Sequence, residues 1–286
     1  MRFGLDIQPI DLGATLGCGQ VFRWRVDGGS RWKGVIDDQL VALTSKGQTI
    51  DVEALPGRRD APELVARFLR ADDDIEKIQG ALAKDEVLAR GMARFRGLRI
   101  VKIDEWECLA SYVLATYANI PRISGMIERI SNEFGEEISR GVHAFPRRER
   151  LARASVTELR RLGLGYRADH LSALCEMLDG SAVSRMRKIP YEELRKNLIE
   201  LPGVGDKVAD CVCLFGFGRL ESFPIDVWVE RALARLYRKR GSYSTLRKFA
   251  ASRFGEYAGY AQEYIYHNER LRARSGVCAF LAKRDE

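Results

Sequence analysis

Long apolar runs are missing from this 286-residue chain. No segment reaches the roughly 18 consecutive apolar residues that a membrane helix needs, so no membrane partner is expected. The opening MRFGLDIQPIDLG has no basic stretch followed by an apolar one, the mark of a secretory leader. The expectation is an intracellular protein, of the cytoplasm and nucleoid or, in a eukaryote, of the nucleus. Histidine is scarce: His143, His170 and His267 stand far apart. Cys18, Cys108, Cys175, Cys211, Cys213 and Cys278 lack the paired spacings of zinc or iron–sulfur ligands. Together these shortages leave no metal site to expect from side chains. Acid is in deficit as well, 40 Asp and Glu against 47 Lys and Arg, a net charge of +7. Basic side chains that neutralise phosphates release condensed counterions, so a polyanion is a natural partner, although a merely solvated surface accounts for the same number. Arginine outnumbers lysine by 36 to 11. Its planar fork matches phosphates and base edges better than an ammonium does.

What is there falls into two textures. QVFRWRVDGGSRWKGVIDDQLVALTSKGQTIDV alternates apolar and polar residues in short runs broken at DGG, DDQ and SKG, which predicts an antiparallel meander. Helical patterns follow in APELVARFLR and DDDIEKIQGALAKDEVLARGM, and from about residue 101 the chain reads as helix after helix with short links. No low-complexity segment or fixed repeat interrupts it. The fold class is therefore α+β: a sheet-bearing amino-terminal domain over 1–100 and a larger helical region over 101–286.

Within that region, LPGVGDKVADCVCLFGFG at 201–218 reads as the turn and second helix of a helix-hairpin-helix spanning about 190–217. Gly203 and Gly205 permit positive φ and close approach of an outside group to Gly203, Val204 and Gly205. Amides beside a helix amino terminus attract an anion such as a DNA phosphate, although such turns also serve plain packing. Lys207 is electrostatically misplaced in a first helical turn, where the field disfavours a cation and favours the neutral amine that a nucleophile must be. Asp226 of FPIDVWVERAL, nineteen residues on, stands where a helix N-cap belongs; a catalytic role requires it to meet Lys207 in one cleft.

LPGVGDKVADCVC and FPIDVWV, with NIPRISGMIERI, LGLGYRADHLSA, CGQVFRWR and YAGYAQEYIYH, resemble in their order the 8-oxoguanine DNA glycosylases of the helix-hairpin-helix superfamily. The resemblance is to the long form with an amino-terminal sheet domain and runs from about residue 12 to 268. It implies base-excision repair of double-stranded DNA containing 8-oxoguanine: the lesion is flipped out, its glycosidic bond is cut, and an imine on Lys207 leads to β-elimination, with Asp226 as the essential carboxylate. It further implies that the Gly19 carbonyl accepts from the proton on N7, that Cys211 and Tyr266 sandwich the base, and that Gln262 reads its Watson–Crick edge. Without the resemblance, Gly19 reads as a turn glycine, Gln262 as a surface polar residue and Tyr266 as a core aromatic.

Opposite the lesion, the resemblance implies that Arg122 and Arg167 read the orphaned cytosine while Tyr166 wedges the duplex. The asparagine expected beside them is replaced by Tyr117, with Asn119 two residues closer to Arg122, which predicts looser selectivity for cytosine. Trp228 stands where many relatives have a phosphate-facing histidine, which predicts a weaker phosphate contact there. No cofactor is required, a structural monovalent cation at the hairpin is compatible with the intact LPGVG, and a monomer is expected. Two alternatives remain beside this one: a glycosylase of the same superfamily for another damaged base, and a non-catalytic helix-hairpin-helix DNA-binding protein. CGQVFRW and Gln262 argue against the first, and Lys207 with Asp226 against the second.

Overall fold

The computed structural model describes residues 1–47, 49–179 and 181–275, so Cys278 lies outside the described residues. The predicted meander forms in full. β2 (Arg25–Val26), β3 (Arg31–Ile36), β4 (Gln39–Lys46) and β5 (Thr49–Leu55) pair antiparallel in sequence order. The turns fall at the predicted breaks, with Gly28, Gly29, Asp37 and Gly47 at positive φ. β1 (Arg2–Leu5), which the sequence pattern did not reveal, closes the sheet against β5, giving the order β1-β5-β4-β3-β2.

The hydrophobic core divides in two. One cluster joins the sheet (Val41, Leu43, Ile50, Val52) to the helix Ala61–Phe68. The larger cluster fills the helical region and takes in Ile75, Ile78, Leu82, Leu88 and Met92, so the helices Ile75–Leu82 and Glu86–Arg94 pack with the carboxy-terminal part although they precede residue 100. Phe22 and Ala14 also belong to the larger cluster. The amino-terminal segment thus crosses into the helical region where the site lies.

Two buried polar side chains hold that crossing. The Gln20 amide donates to the carbonyls of Thr15 and Arg99 at 2.7 and 2.8 Å and accepts from the Val101 amide at 3.0 Å. The Arg99 guanidinium donates to the carbonyls of Pro9, Arg70, Asp73 and Gln8. Every such bond satisfies a backbone donor or acceptor that burial would otherwise leave costly. The Gly19 turn between them is correspondingly fixed.

The hairpin consists of the helix Tyr191–Ile199, the turn 201–205 and the helix Asp206–Cys211, which widens into a π-helical turn over Val212–Gly216. Asp210 binds these pieces together. Its fully buried carboxylate accepts from Tyr191, Arg195 and Tyr243 at 2.9, 2.9 and 2.6 Å, joining both hairpin helices to the helix Tyr243–Phe254. Arg195 also reaches Asp206 at the helix start.

Candidate active site

Between the Gly19 turn and the helical region lies a cavity of about 390 Å³. Lys207, Cys211, Asp226, Gln262, Tyr266, Gly19 and Asn119 all line it, although their positions span more than two hundred residues of sequence. Each is placed by local structure. Lys207 stands in the first turn of the second hairpin helix, and Asp226 is the N-cap of Val227–Tyr237. Gln262 and Tyr266 share one face of the last helix, Ala258–Ser275, four residues apart.

Asp226 caps its helix and also reaches the cavity. Oδ1 accepts from the amides of Trp228 and Val229 at 2.9 Å each, which caps the helix, while the carboxylate faces the cavity with Lys207 nearby. Burial pushes its pKa up, and the cap hydrogen bond from Val229 and the charge of Lys207 pull against that rise. The Lys207 ammonium lies 4.9 Å from the centre of the Tyr112 ring, which is itself stacked on Phe215 at 5.6 Å. This cation–π contact holds the amine at the cavity without a fully committed carboxylate partner. Beside it the Cys211 thiol is pushed up to about 12, chiefly by burial, so the group on that wall is neutral and polarizable.

The two hairpin glycines differ. Gly203 takes φ +76°, and a Cβ there would meet His170 at 2.9 Å, so glycine is required twice over. Gly205 does not adopt the positive φ that its residue type allows: at φ −99° it is the extended N-cap of the lysine helix, with open space where a Cβ would stand. Gly19 combines φ +111° with crowding, since a Cβ would lie 2.7 Å from Arg270 and 2.8 Å from Ile120.

Of the residues expected at the opposite strand, Asn119 lines the cavity, while Arg122, Tyr166 and Arg167 lie outside it. Arg122 is exposed at the start of the helix Ile120–Phe134, whose N-cap is Asn119, accepting from the Arg122 amide at 3.0 Å. Tyr166 is half exposed. Arg167 departs from its expected role as a reader of an exposed base: it is only 2% exposed, its guanidinium donates to the carbonyls of Thr116 and Leu164, and it stacks on Tyr166 at 4.6 Å. Its Nε and both terminal nitrogens donate to the chain itself. What they hold is the loop that presents Tyr117, which is 97% exposed and sits at φ +49°, a left-handed conformation disfavoured for an aromatic residue.

Sequence reasoning missed three residues of this site. Tyr112 is hidden in an ordinary apolar helix, Glu263 reads as one more charge on the last helix, and Arg270 as one more arginine. All three line the cavity. Trp228, where a weaker phosphate contact is expected, lines it too, with the Arg231 guanidinium 5.6 Å from its ring. No group of side chains fit to hold a metal occurs among the described residues, and no helix among them is long and apolar enough to cross a membrane.

Comparison with known proteins then bears on this geometry. Residues 2–109 match the family model of the 8-oxoguanine DNA glycosylase amino-terminal domain, and residues 111–254 match that of the HhH-GPD superfamily of base excision DNA repair proteins. The N-glycosylase/DNA lyase of Arabidopsis thaliana is 29% identical over 90% of this chain and 76% of its own length. The probable N-glycosylase/DNA lyase of Methanothermobacter thermautotrophicus is 31% identical over 71% of this chain and 72% of its own. Among solved structures, the apo 8-oxoguanine glycosylase/lyase of Clostridium acetobutylicum superposes with a TM-score of 0.87 at 25% identity, covering 93% of this chain and 95% of that one.

Proposed function

Since the chain belongs to the HhH-GPD superfamily of base excision DNA repair proteins and carries the amino-terminal domain of its 8-oxoguanine glycosylases, it is an N-glycosylase/DNA lyase of 8-oxoguanine repair, and we propose that Lys207 and Asp226 carry its chemistry. The observation that supports this most is their convergence with Gly19 and Gln262 on one cavity.

In the proposed reaction the neutral Lys207 amine attacks the sugar C1′ as the bond from C1′ to the base breaks. The departing base takes the electron pair and a proton. Asp226 faces the positive charge that develops on the sugar, in a site where burial strengthens electrostatics. Breaking of the C1′–O4′ bond, with O4′ taking a proton as the sugar ring opens, turns the Lys207 adduct into the imine, and removal of a C2′ proton then expels the 3′ phosphate and nicks the strand. Gly19, Gln262, Cys211 and Tyr266 would hold the flipped base; Gly203, Val204 and Gly205 would seat a backbone phosphate; Arg122, Tyr166 and Asn119 would meet the opposite strand. The chain supplies the nucleophile itself, so the reaction requires no organic cofactor. The hairpin is a fitting seat for a structural monovalent cation, because the Gly203 and Val204 carbonyls accept no backbone hydrogen bond among the described residues. In this reading the protein acts on DNA inside the cell as a monomer.

A duplex with one 8-oxoguanine opposite cytosine, treated with the protein and sodium borohydride, should yield a covalent adduct, because borohydride reduces the imine. Undamaged duplex should yield none. Lys207→Gln should abolish adduct, base release and nicking while still binding the damaged duplex; residual nicking by that variant would remove Lys207 from the nucleophile's role.

A further inference from the structure

The Watson–Crick edge read by Gln262 is common to guanine and its oxidised form, so selectivity has to come from the other edge. There the lesion carries a proton on N7, where guanine carries a lone pair. An acceptor aimed at that point favours the lesion and disfavours guanine, and a charged acceptor does both more strongly than a carbonyl.

Such an acceptor lies in the cavity wall. Glu263 lines the cavity and is 2% exposed, and its Oε2 has no hydrogen-bond partner among the described residues. The Cys18 thiol, one residue before Gly19, is within hydrogen-bonding reach of its carboxyl. The carboxyl therefore stands on the Gly19 side of the pocket. Arg270, seven residues on along the same helix, donates to the carbonyls of Cys18 and Gly17 and lies directly against the Gly19 α-carbon. A buried acceptor left unpaired in the apo protein is costly unless something pairs it later. We propose that Glu263 is a specificity-determining residue that accepts the N7 proton of the flipped 8-oxoguanine beside the Gly19 carbonyl, with Arg270 as the positioning residue that fixes the Cys18–Gly19 turn. This rests on the excision of 8-oxoguanine proposed above.

Protonation of Glu263 removes the acceptor and leaves a donor that guanine's N7 can accept from. Burial pushes its pKa to about 7, Asp226 adding to the rise, while Cys18, Arg270 and Lys207 oppose it. Tyr112 and Tyr266 also face the carboxyl and remain neutral in this range, since burial pushes both hydroxyls up. The acceptor form is present above about pH 7 and is lost below it.

The test compares single-turnover excision of 8-oxoguanine opposite cytosine with nicking at a preformed abasic site, from pH 5.5 to 8.5, for the wild type, Glu263→Gln and Glu263→Ala. Nicking at an abasic site uses Lys207 and reads no base, so it reports folding and chemistry alone. In the wild type the ratio of excision to nicking should fall as pH drops through about 7. Both variants should lower that ratio by about tenfold or more at pH 8 and flatten its pH dependence. A variant ratio and pH profile equal to the wild type's would overturn the assignment of Glu263. Wild-type protein that nicks abasic sites but leaves 8-oxoguanine untouched would overturn the substrate reading and this inference with it.

Discussion

The two walls of the cavity are built by different means. The wall proposed to do the chemistry, Lys207 and Asp226, stands on the starts of two helices, the residues nineteen apart in sequence, where capping geometry and helix fields place the side chains. The reading wall is assembled from the Cys18–Gly19 turn and the last helix, some 240 residues later, and is held by buried hydrogen bonds from Gln20, Arg99 and Arg270 to backbone carbonyls. The proposed chemistry thus rests on local structure, and the proposed recognition on long-range assembly. Substitutions on the first wall should cost rate, and on the second, affinity and choice of base.

Asp226→Asn separates cap from charge most sharply. Asparagine caps about as well as aspartate, within a few tenths of a kcal/mol, so the melting temperature should hardly move, while base release falls by roughly 10²-fold or more. Equal losses of rate and stability would reduce Asp226 to a cap. On the reading wall, Gly19→Ala places a methyl group 2.7 Å from Arg270 at a strained φ. Excision of 8-oxoguanine should drop roughly tenfold to a hundredfold, with abasic-site nicking reduced far less; parallel losses would erase the division between the walls.

On the rim, an exposed ring that stacks in the duplex contributes about 1–3 kcal/mol. Tyr117→Ala should therefore weaken binding to damaged duplex roughly 5- to 100-fold in a titration and leave the melting temperature in place. Tyr117→Asn, which relieves the left-handed strain, should narrow the preference to cytosine; an unchanged opposite-base profile would remove Tyr117 from that choice. The smallest effects belong to the hairpin glycines. Gly203→Ala should lower stability by about 1–2 kcal/mol from φ alone, more where His170 cannot yield. Gly205→Ala should be nearly silent in stability, within about 0.5 kcal/mol, yet weaken DNA binding at low salt if a phosphate rests there.

The meander was legible because each of its turns carries glycine or aspartate at the break in alternation, and the hairpin because its glycines, proline and lysine lie within seven residues. β1 was not legible: RFGL is too short for a pattern, and its pairing with β5 is some fifty residues away. The packing of the helices Ile75–Leu82 and Glu86–Arg94 against the larger cluster was not legible either, because their amphipathic faces do not say which cluster will receive them. Arg167 read as a base contact by position, yet its buried guanidinium serves the Thr116 carbonyl, a partner 51 residues away.

By itself the amino-acid sequence determined the class of fold, the hairpin, and the candidate nucleophile and carboxylate, because each of these rests on spacing and capping within one or two turns of chain. Tertiary structure alone decided that Lys207 and Asp226 share a cavity with Gly19, that Glu263 lines it with one carboxylate oxygen unpaired among the described residues, and that Tyr117 stands clear of the surface. Those facts depend on packing between segments far apart in the chain, where burial, and not residue type, sets what a side chain meets.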